Sequence, residues 1–163
     1  MNKVRNVAIG FGVVIVFIVC FFVVSVLTEK PQKVIDCTFA TQSGGITDIK
    51  TVARDGGAVL IFIDPEVEGS VDVLEKVIKH KGDANIIAVS VSKLDAKEQL
   101  ELLPKKVREL EYLVLDGKEI AKTYNIGNPP ITYFVDSEFW VKDVFVGNIS
   151  DKSVKKTIEK ITK

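Results

Sequence analysis

The feature that most constrains this chain is an uncharged apolar run near its N-terminus. The run covers residues 7–27 and reads VAIGFGVVIVFIVCFFVVSVL. A helix of this length spans roughly 30 Å, which matches the hydrocarbon thickness of a bilayer. The sequence therefore predicts one transmembrane helix at residues 7–27.

The residues around this run predict its orientation and its fate. Lys3 and Arg5 lie on the short N-terminal side, and the positive-inside rule places that side in the cytoplasm. We therefore predict a cytoplasmic tail at residues 1–6 and an extracytoplasmic remainder. A cleaved signal peptide is disfavoured because the apolar core is too long and no small-x-small cleavage pattern precedes Thr28. The prediction is a single-pass protein of the cell membrane with an uncleaved signal-anchor.

Beyond the apolar run, the chain has room for one domain of ordinary size. Residues 28–33, which include Pro31, are typical of a short linker, and residues 34–163 are predicted to form the domain. The whole chain carries 22 basic and 22 acidic residues, and this balance gives no electrostatic reason to expect a nucleic acid partner. Cys20 lies inside the apolar run and Cys37 outside it, so no intramolecular disulfide is predicted.

Apolar periodicity divides the domain into strands and helices. Residues 58–63 and 86–91 form short, continuous, β-branched runs, which are typical of strands buried on both faces. Apolar residues between these runs recur at helical spacing, namely Val67, Val71, Leu74 and Ile78. A strand, a helix and a strand in this order indicate a right-handed crossover and a parallel strand pair.

The second half of the domain continues with short elements. In order, they are a helix from Asp95 to Leu103, an apolar run at 112–115, a helix at 118–124, a hairpin of strands at 132–135 and 140–146, and a last helix that begins at Ser150. This order predicts an α/β domain with a mixed β-sheet flanked by helices.

Three segments carry a family resemblance. They are residues 37–52, the run AVLIFIDPEVEGSVDVLEKV, and residues 124–136, which contain Pro129, Pro130 and Ile131. Together they resemble the thioredoxin-like superfamily, and most closely the membrane-anchored thiol-disulfide oxidoreductases of the TlpA and ResA type. The resemblance implies a thioredoxin-like fold over residues 34–163, a cis peptide bond before Pro130, and a groove that holds an extended peptide.

The resemblance also implies where a C-x-x-C redox motif would lie. At those positions this chain has Val67, Glu68, Gly69 and Ser70. Thiol-disulfide exchange requires an attacking thiolate and a second thiol that resolves the mixed disulfide, and neither side chain supplies one. We therefore expect a degenerate, redox-inactive site whose groove is formed by residues 67–70 and 129–131.

Other candidate sites are weaker. The carboxylates of Asp64, Glu66 and Glu68 suit a hard cation, but acidic residues before a helix are already favoured by its dipole, so no metal site is predicted. Ser70 and His80 lie about 15 Å apart along one helix, which excludes a Ser/His pair and leaves His80 as a solvated residue near the helix end. No glycine-rich phosphate loop is present, and no cofactor is predicted.

These inferences predict a non-enzymatic binding or accessory domain. Its expected partner is an extended peptide or another membrane or envelope protein. Two alternatives stay open. The protein could be a thiol-disulfide oxidoreductase or redox-homeostasis protein that acts through Cys37 or through partner thiols, or a structural subunit whose helix at residues 7–27 makes the specific contact.

Overall fold

A computed structural model describes residues 32–163 of the chain. Seven strands follow in order, namely β1 (Thr38–Ala40), β2 (Ile46–Asp48), β3 (Ala58–Ile63), β4 (Asn85–Ser90), β5 (Tyr112–Val114), β6 (Ile131–Val135) and β7 (Val141–Val146). Six helices lie between and after them, namely α1 (Ile49–Arg54), α2 (Ser70–His80), α3 (Ala96–Leu102), α4 (Lys105–Arg108), α5 (Lys118–Thr123) and α6 (Asp151–Ile161).

Five of the strands form a mixed sheet in the order β5-β4-β3-β6-β7. The pairs β3–β4 and β4–β5 are parallel, whereas β3–β6 and β6–β7 are antiparallel. The strands β1 and β2 form a separate antiparallel hairpin. Strand β3 lies at the centre and every residue in it is buried, as its continuous apolar sequence predicts.

Each face of the sheet has its own hydrophobic core. Because successive strand side chains point to opposite faces, Ile61 and Ile63 pack with α2 and α6, while Leu60 and Phe62 pack with α1 and α5. Helices therefore cover the central strands on both sides. The predicted mixed sheet flanked by helices is confirmed.

Local capping fixes where several helices begin. Asp95 and Glu98 form a reciprocal capping box at α3, and the Ser150 hydroxyl accepts a hydrogen bond from the Ser153 N–H at α6. Helix α2 instead follows Gly69, which has a left-handed backbone with φ of 77°. The predicted starts at Asp95 and Ser150 are thus correct, because the signal for them is local.

Some expectations need correction. Val67 lies in a turn before α2 rather than in the helix, because the left-handed Gly69 separates it from the first helical turn. Helix α4 was not predicted, and the run at 112–115 contributes the edge strand β5 of the main sheet. His80 is mostly buried rather than solvated, since its Nε2 lies 2.7 Å from the Asp151 carboxylate.

The structure describes the last two residues of the predicted linker but not the predicted transmembrane helix. Gln32 and Lys33, assigned to the linker, belong to the compact unit, because Lys33 pairs with Trp140 and the Val141 N–H donates to the Gln32 carbonyl. The predicted tail, the apolar run at residues 7–27 and the rest of the linker lie outside the described residues. Within residues 32–163, no helix combines the length and apolar character needed to cross a bilayer.

Candidate functional site

The site begins where β3 ends and the chain turns into α2. The Val67 N–H donates to the Asp64 carbonyl and the Ser70 N–H donates to the Val67 carbonyl, each at 3.0 Å. The Asp64 carboxylate accepts a hydrogen bond from the Glu66 N–H at 3.1 Å. These bonds fold residues 64–70 into a compact turn that places Val67, Glu68 and Gly69 on the surface ahead of α2.

Val67 and Ser70 occupy opposite environments in this turn. The Val67 residue is 38% exposed, whereas Ser70 has no exposed surface. The Ser70 hydroxyl accepts a hydrogen bond from the Asp64 N–H at 2.9 Å. Ser70 therefore holds the turn together from inside, and its oxygen is engaged with the backbone.

The facing wall comes from the start of β6 and the end of β7. The peptide bond between Pro129 and Pro130 is cis, in agreement with the expectation from the sequence. The Gly147 N–H donates to the Pro130 carbonyl at 2.8 Å, which joins the two strand ends. The Lys76 ammonium of α2 donates to Asn148 Oδ1 at 2.7 Å and connects this wall to the helix.

A pocket of about 300 Å³ lies between these walls, and we call it the groove. Its lining residues are Val67, Glu68, Gly69, Asp72, Lys76, Pro129, Pro130, Gly147 and Asn148. Five of the seven residues proposed from the sequence line it. Ser70 and Ile131 do not, because Ser70 is fully buried and Ile131 begins β6, which continues away from the groove.

Four lining residues were not predicted from the sequence. Asp72 and Lys76 lie one turn apart on α2, four residues and eight residues after Glu68, so helical spacing alone could have identified them. Gly147 and Asn148 lie almost eighty residues beyond Glu68 in the chain. No local pattern marks them as neighbours of the turn.

Comparison with solved structures identifies this arrangement of strands and helices. A thiol:disulfide interchange protein of the thioredoxin family from Chlorobium tepidum TLS matches with a TM-score of 0.67 at 12% identity, covering 83% of this chain and 99% of that one. A thio-disulfide isomerase from Thermus thermophilus matches with a TM-score of 0.63 at 17% identity, covering 82% and 97%. StoA from Bacillus subtilis matches with a TM-score of 0.56 at 16% identity, covering 76% and 96%. The chain has a thioredoxin-like fold.

Sequence comparison adds no closer relative of this thioredoxin-like domain. No protein-family model matches the chain, and no curated protein matches it in sequence. The similarity to the solved structures is therefore one of fold. The chemistry of this chain depends on its own side chains.

Cys37 is the free cysteine within the described residues, and it does not line the groove. It packs, half-buried, against the core that contains Phe62 and Tyr124. Burial raises the pKa of the Cys37 thiol, and the neighbouring Asp36 carboxylate raises it further. A hydrogen bond with Thr123 lowers this pKa, but by less, so the pKa is raised overall. A thiol with a raised pKa holds less thiolate and attacks disulfides more slowly.

Three aromatic rings stabilise the sheet face beside Cys37. The ring centroids of Phe62, Tyr124 and Tyr133 lie 5.3 to 6.0 Å apart in tilted and edge-to-face arrangements. The Tyr124 hydroxyl donates to the Ile35 carbonyl, and burial raises the pKa of Tyr124. This cluster attaches the N-terminal residues of the domain to the sheet.

The acidic turn does not form a metal centre in the described part of the chain. No group of three or more histidine, cysteine, aspartate or glutamate side chains in residues 32–163 is arranged to hold a metal ion. The Glu66 carboxylate instead accepts a hydrogen bond from the Ser92 hydroxyl at 3.3 Å. The turn carboxylates thus serve as hydrogen-bond acceptors or face solvent.

Proposed function

We propose that this protein is a membrane-anchored, extracytoplasmic thioredoxin-like domain that binds a partner and does not catalyse thiol-disulfide exchange. One observation carries the proposal. The groove beside the cis proline is open and has an exposed Val67 at its edge, yet none of its lining residues is a cysteine. Such a groove can hold a chain through its backbone and apolar contacts, but it has no sulfur to exchange.

The anchor rests on the sequence. The uncharged run at residues 7–27 is long enough to cross a bilayer, and Lys3 and Arg5 precede it. This arrangement puts the thioredoxin-like domain outside the cytoplasm. The partner is then an extended peptide or another membrane or envelope protein that meets the domain at the membrane surface.

A redox role is the alternative. It is favoured by the fold neighbours, which include a thiol:disulfide interchange protein and a thio-disulfide isomerase. Such a role would have to use Cys37 or thiols of a partner. Cys37 suits it poorly, because its thiol is half-buried with a raised pKa and no other cysteine occurs among residues 32–163 to resolve a mixed disulfide.

An insulin reduction assay separates the two functions. A fragment that begins at Gln32 excludes Cys20 and keeps both hydrophobic cores. With dithiothreitol as reductant, we expect insulin to precipitate at the same rate with and without this fragment. Faster precipitation that Cys37→Ser abolishes would establish the redox alternative.

A gain-of-function variant tests whether the turn occupies the position of a redox motif. We expect Val67→Cys with Ser70→Cys to form an intramolecular disulfide and to gain reductase activity, because the start of a helix stabilises a thiolate. The control is Lys152→Cys with Lys155→Cys, which places the same spacing in the first turns of α6, away from the groove. Equal reductase activity in both variants, or no activity in either, would contradict the assignment of residues 67–70 to the position of a C-x-x-C motif.

A further inference from the structure

The groove carries an excess of negative charge. Glu68 and Asp72 line it, both are exposed, and neither forms an ion pair with a cation in residues 32–163. Asp64 and Glu66 lie in the same turn but do not line the groove, and their carboxylates accept hydrogen bonds from the Glu66 N–H and the Ser92 hydroxyl. The groove therefore presents unpaired acceptors on the side formed by the turn and α2.

The cation of the groove is held by the opposite wall. The Lys76 ammonium donates to Asn148 Oδ1 at 2.7 Å and approaches the Ile149 carbonyl at 3.4 Å, and both acceptors are neutral. These contacts hold Lys76 against the 147–149 loop and away from pairing with Asp72. The position of Lys76 leaves the carboxylates on the turn side available to a ligand.

The groove also has apolar surface. Val67 is 38% exposed and Pro129 is half-buried at the facing wall. A lysine or arginine side chain suits such a surface, because its methylene stem packs on apolar groups while its cationic head reaches acceptors at the rim. An acidic side chain in the same place would meet like charge.

We propose that the groove takes an extended peptide segment that carries a lysine or arginine. The methylene stem of that residue packs on Val67 and Pro129, and its cationic head pairs with Glu68 and Asp72. This inference rests on the proposed binding function and adds the chemistry of the partner. It assigns Glu68 and Asp72 the role of specificity residues.

The test uses the full chain in detergent micelles and an immobilised array of degenerate hexapeptides with one fixed position. The fixed residue is lysine, arginine, serine, glutamate or aspartate. We expect binding to the basic sets to exceed binding to the acidic sets by about three- to tenfold, which is the scale of one or two exposed ion pairs. The preference should weaken in 0.5 M salt, because screening is then nearly complete beyond a few ångströms.

Two charge variants assign the preference to the groove. The double variant Glu68→Gln with Asp72→Asn should remove the preference for basic peptides, and Glu68→Lys with Asp72→Lys should invert it. The control is Glu101→Lys with Glu159→Lys. Both of its positions are exposed and outside the groove, so it should leave the preference unchanged. Thermal unfolding of each variant shows whether it is folded. Binding without a charge preference, or a preference unaffected by the groove variants, would overturn this inference and leave the binding function standing. Failure to bind any set would overturn both this inference and the proposal that the groove holds an extended peptide.

Discussion

At the scale of single residues, two glycines with similar backbones have different environments. Gly57 has φ of 78° and Gly69 has φ of 77°, so an added side chain is strained at either. A Cβ at Gly57 would lie 2.8 Å from the carbonyl oxygens of Val135 and Ile161, whereas a Cβ at Gly69 meets nothing within 4 Å. Gly57 allows β6 and the end of α6 to approach the start of β3, and Gly69 only turns the chain into α2.

This difference predicts unequal costs of substitution. Gly69→Ala should lower the free energy of unfolding by about 1 kcal/mol, because only the left-handed backbone is penalised. Gly57→Ala should lower it by about 3 kcal/mol or more, because backbone atoms also have to move. Urea unfolding of the fragment that begins at Gln32 measures both. Similar costs at the two positions would contradict the close approach at Gly57.

At the scale of elements, α2 and α6 are joined by a charged contact at the edge of their apolar packing. Asp151, in the first turn of α6, lies 2.9 Å from the Lys79 ammonium and 2.7 Å from His80 Nε2 at the end of α2. Hydrogen bonds from Lys79, and then from His80, lower the pKa of the Asp151 carboxyl to about 2. The contact matches the charge preferences of both helix ends, since an acidic group favours a helix start and basic groups favour a helix end.

The lowered pKa predicts a specific dependence on pH. The unfolded chain binds a proton at Asp151 more readily than the folded chain does, so this contribution to stability is present above about pH 4 and is lost as the pH falls towards 2. Asp151→Asn should therefore be less stable than the natural chain at pH 5, and the difference should shrink at pH 2.5. Urea unfolding at both values measures it. Ser137→Ala, a change at an exposed position without a titratable group, should show the same difference from the natural chain at both values.

At the scale of the whole molecule, residues 32–34 lie beside the edge of the main sheet. The Val141 N–H donates to the Gln32 carbonyl, the Val34 N–H donates to the Phe139 carbonyl, and Val34 is buried. The Lys33 ammonium lies 4.8 Å from the centre of the Trp140 ring. These contacts attach residues 32–34 to the segment that leads into β7.

The proposed anchor predicts a defined topology in the native membrane. In a background without Cys20 and Cys37, a cysteine introduced at the exposed Ser137 should react with an impermeant maleimide in intact cells. A cysteine introduced at Asn2 should react only after permeabilisation. N-terminal sequencing of the membrane form should begin at or near residue 1. Protection of the first site, or a start near Thr28, would contradict the uncleaved anchor.

Much of the fold could be predicted from sequence because its signals are local. The continuous β-branched residues of β3 and β4 indicated buried central strands, and the capping residues Asp95 and Ser150 marked helix starts within a residue. The order of these elements was enough to indicate a mixed sheet between helices. Each of these features depends on residues a few positions apart, where periodicity and capping chemistry act.

Tertiary structure alone decided which side chains meet. His80 lies against Asp151, 71 residues away, and the Lys76 contact that closes one end of the groove spans 72 residues. Ser70 was predicted to line the groove, but it is turned inward by a hydrogen bond whose geometry depends on the Asp64 turn. Contacts of this kind arise from the packing of helices on a sheet, and no spacing along the chain encodes them. The sequence by itself thus determined the elements and the absence of thiols at residues 67–70, whereas the charge and the walls of the groove follow from how those elements pack.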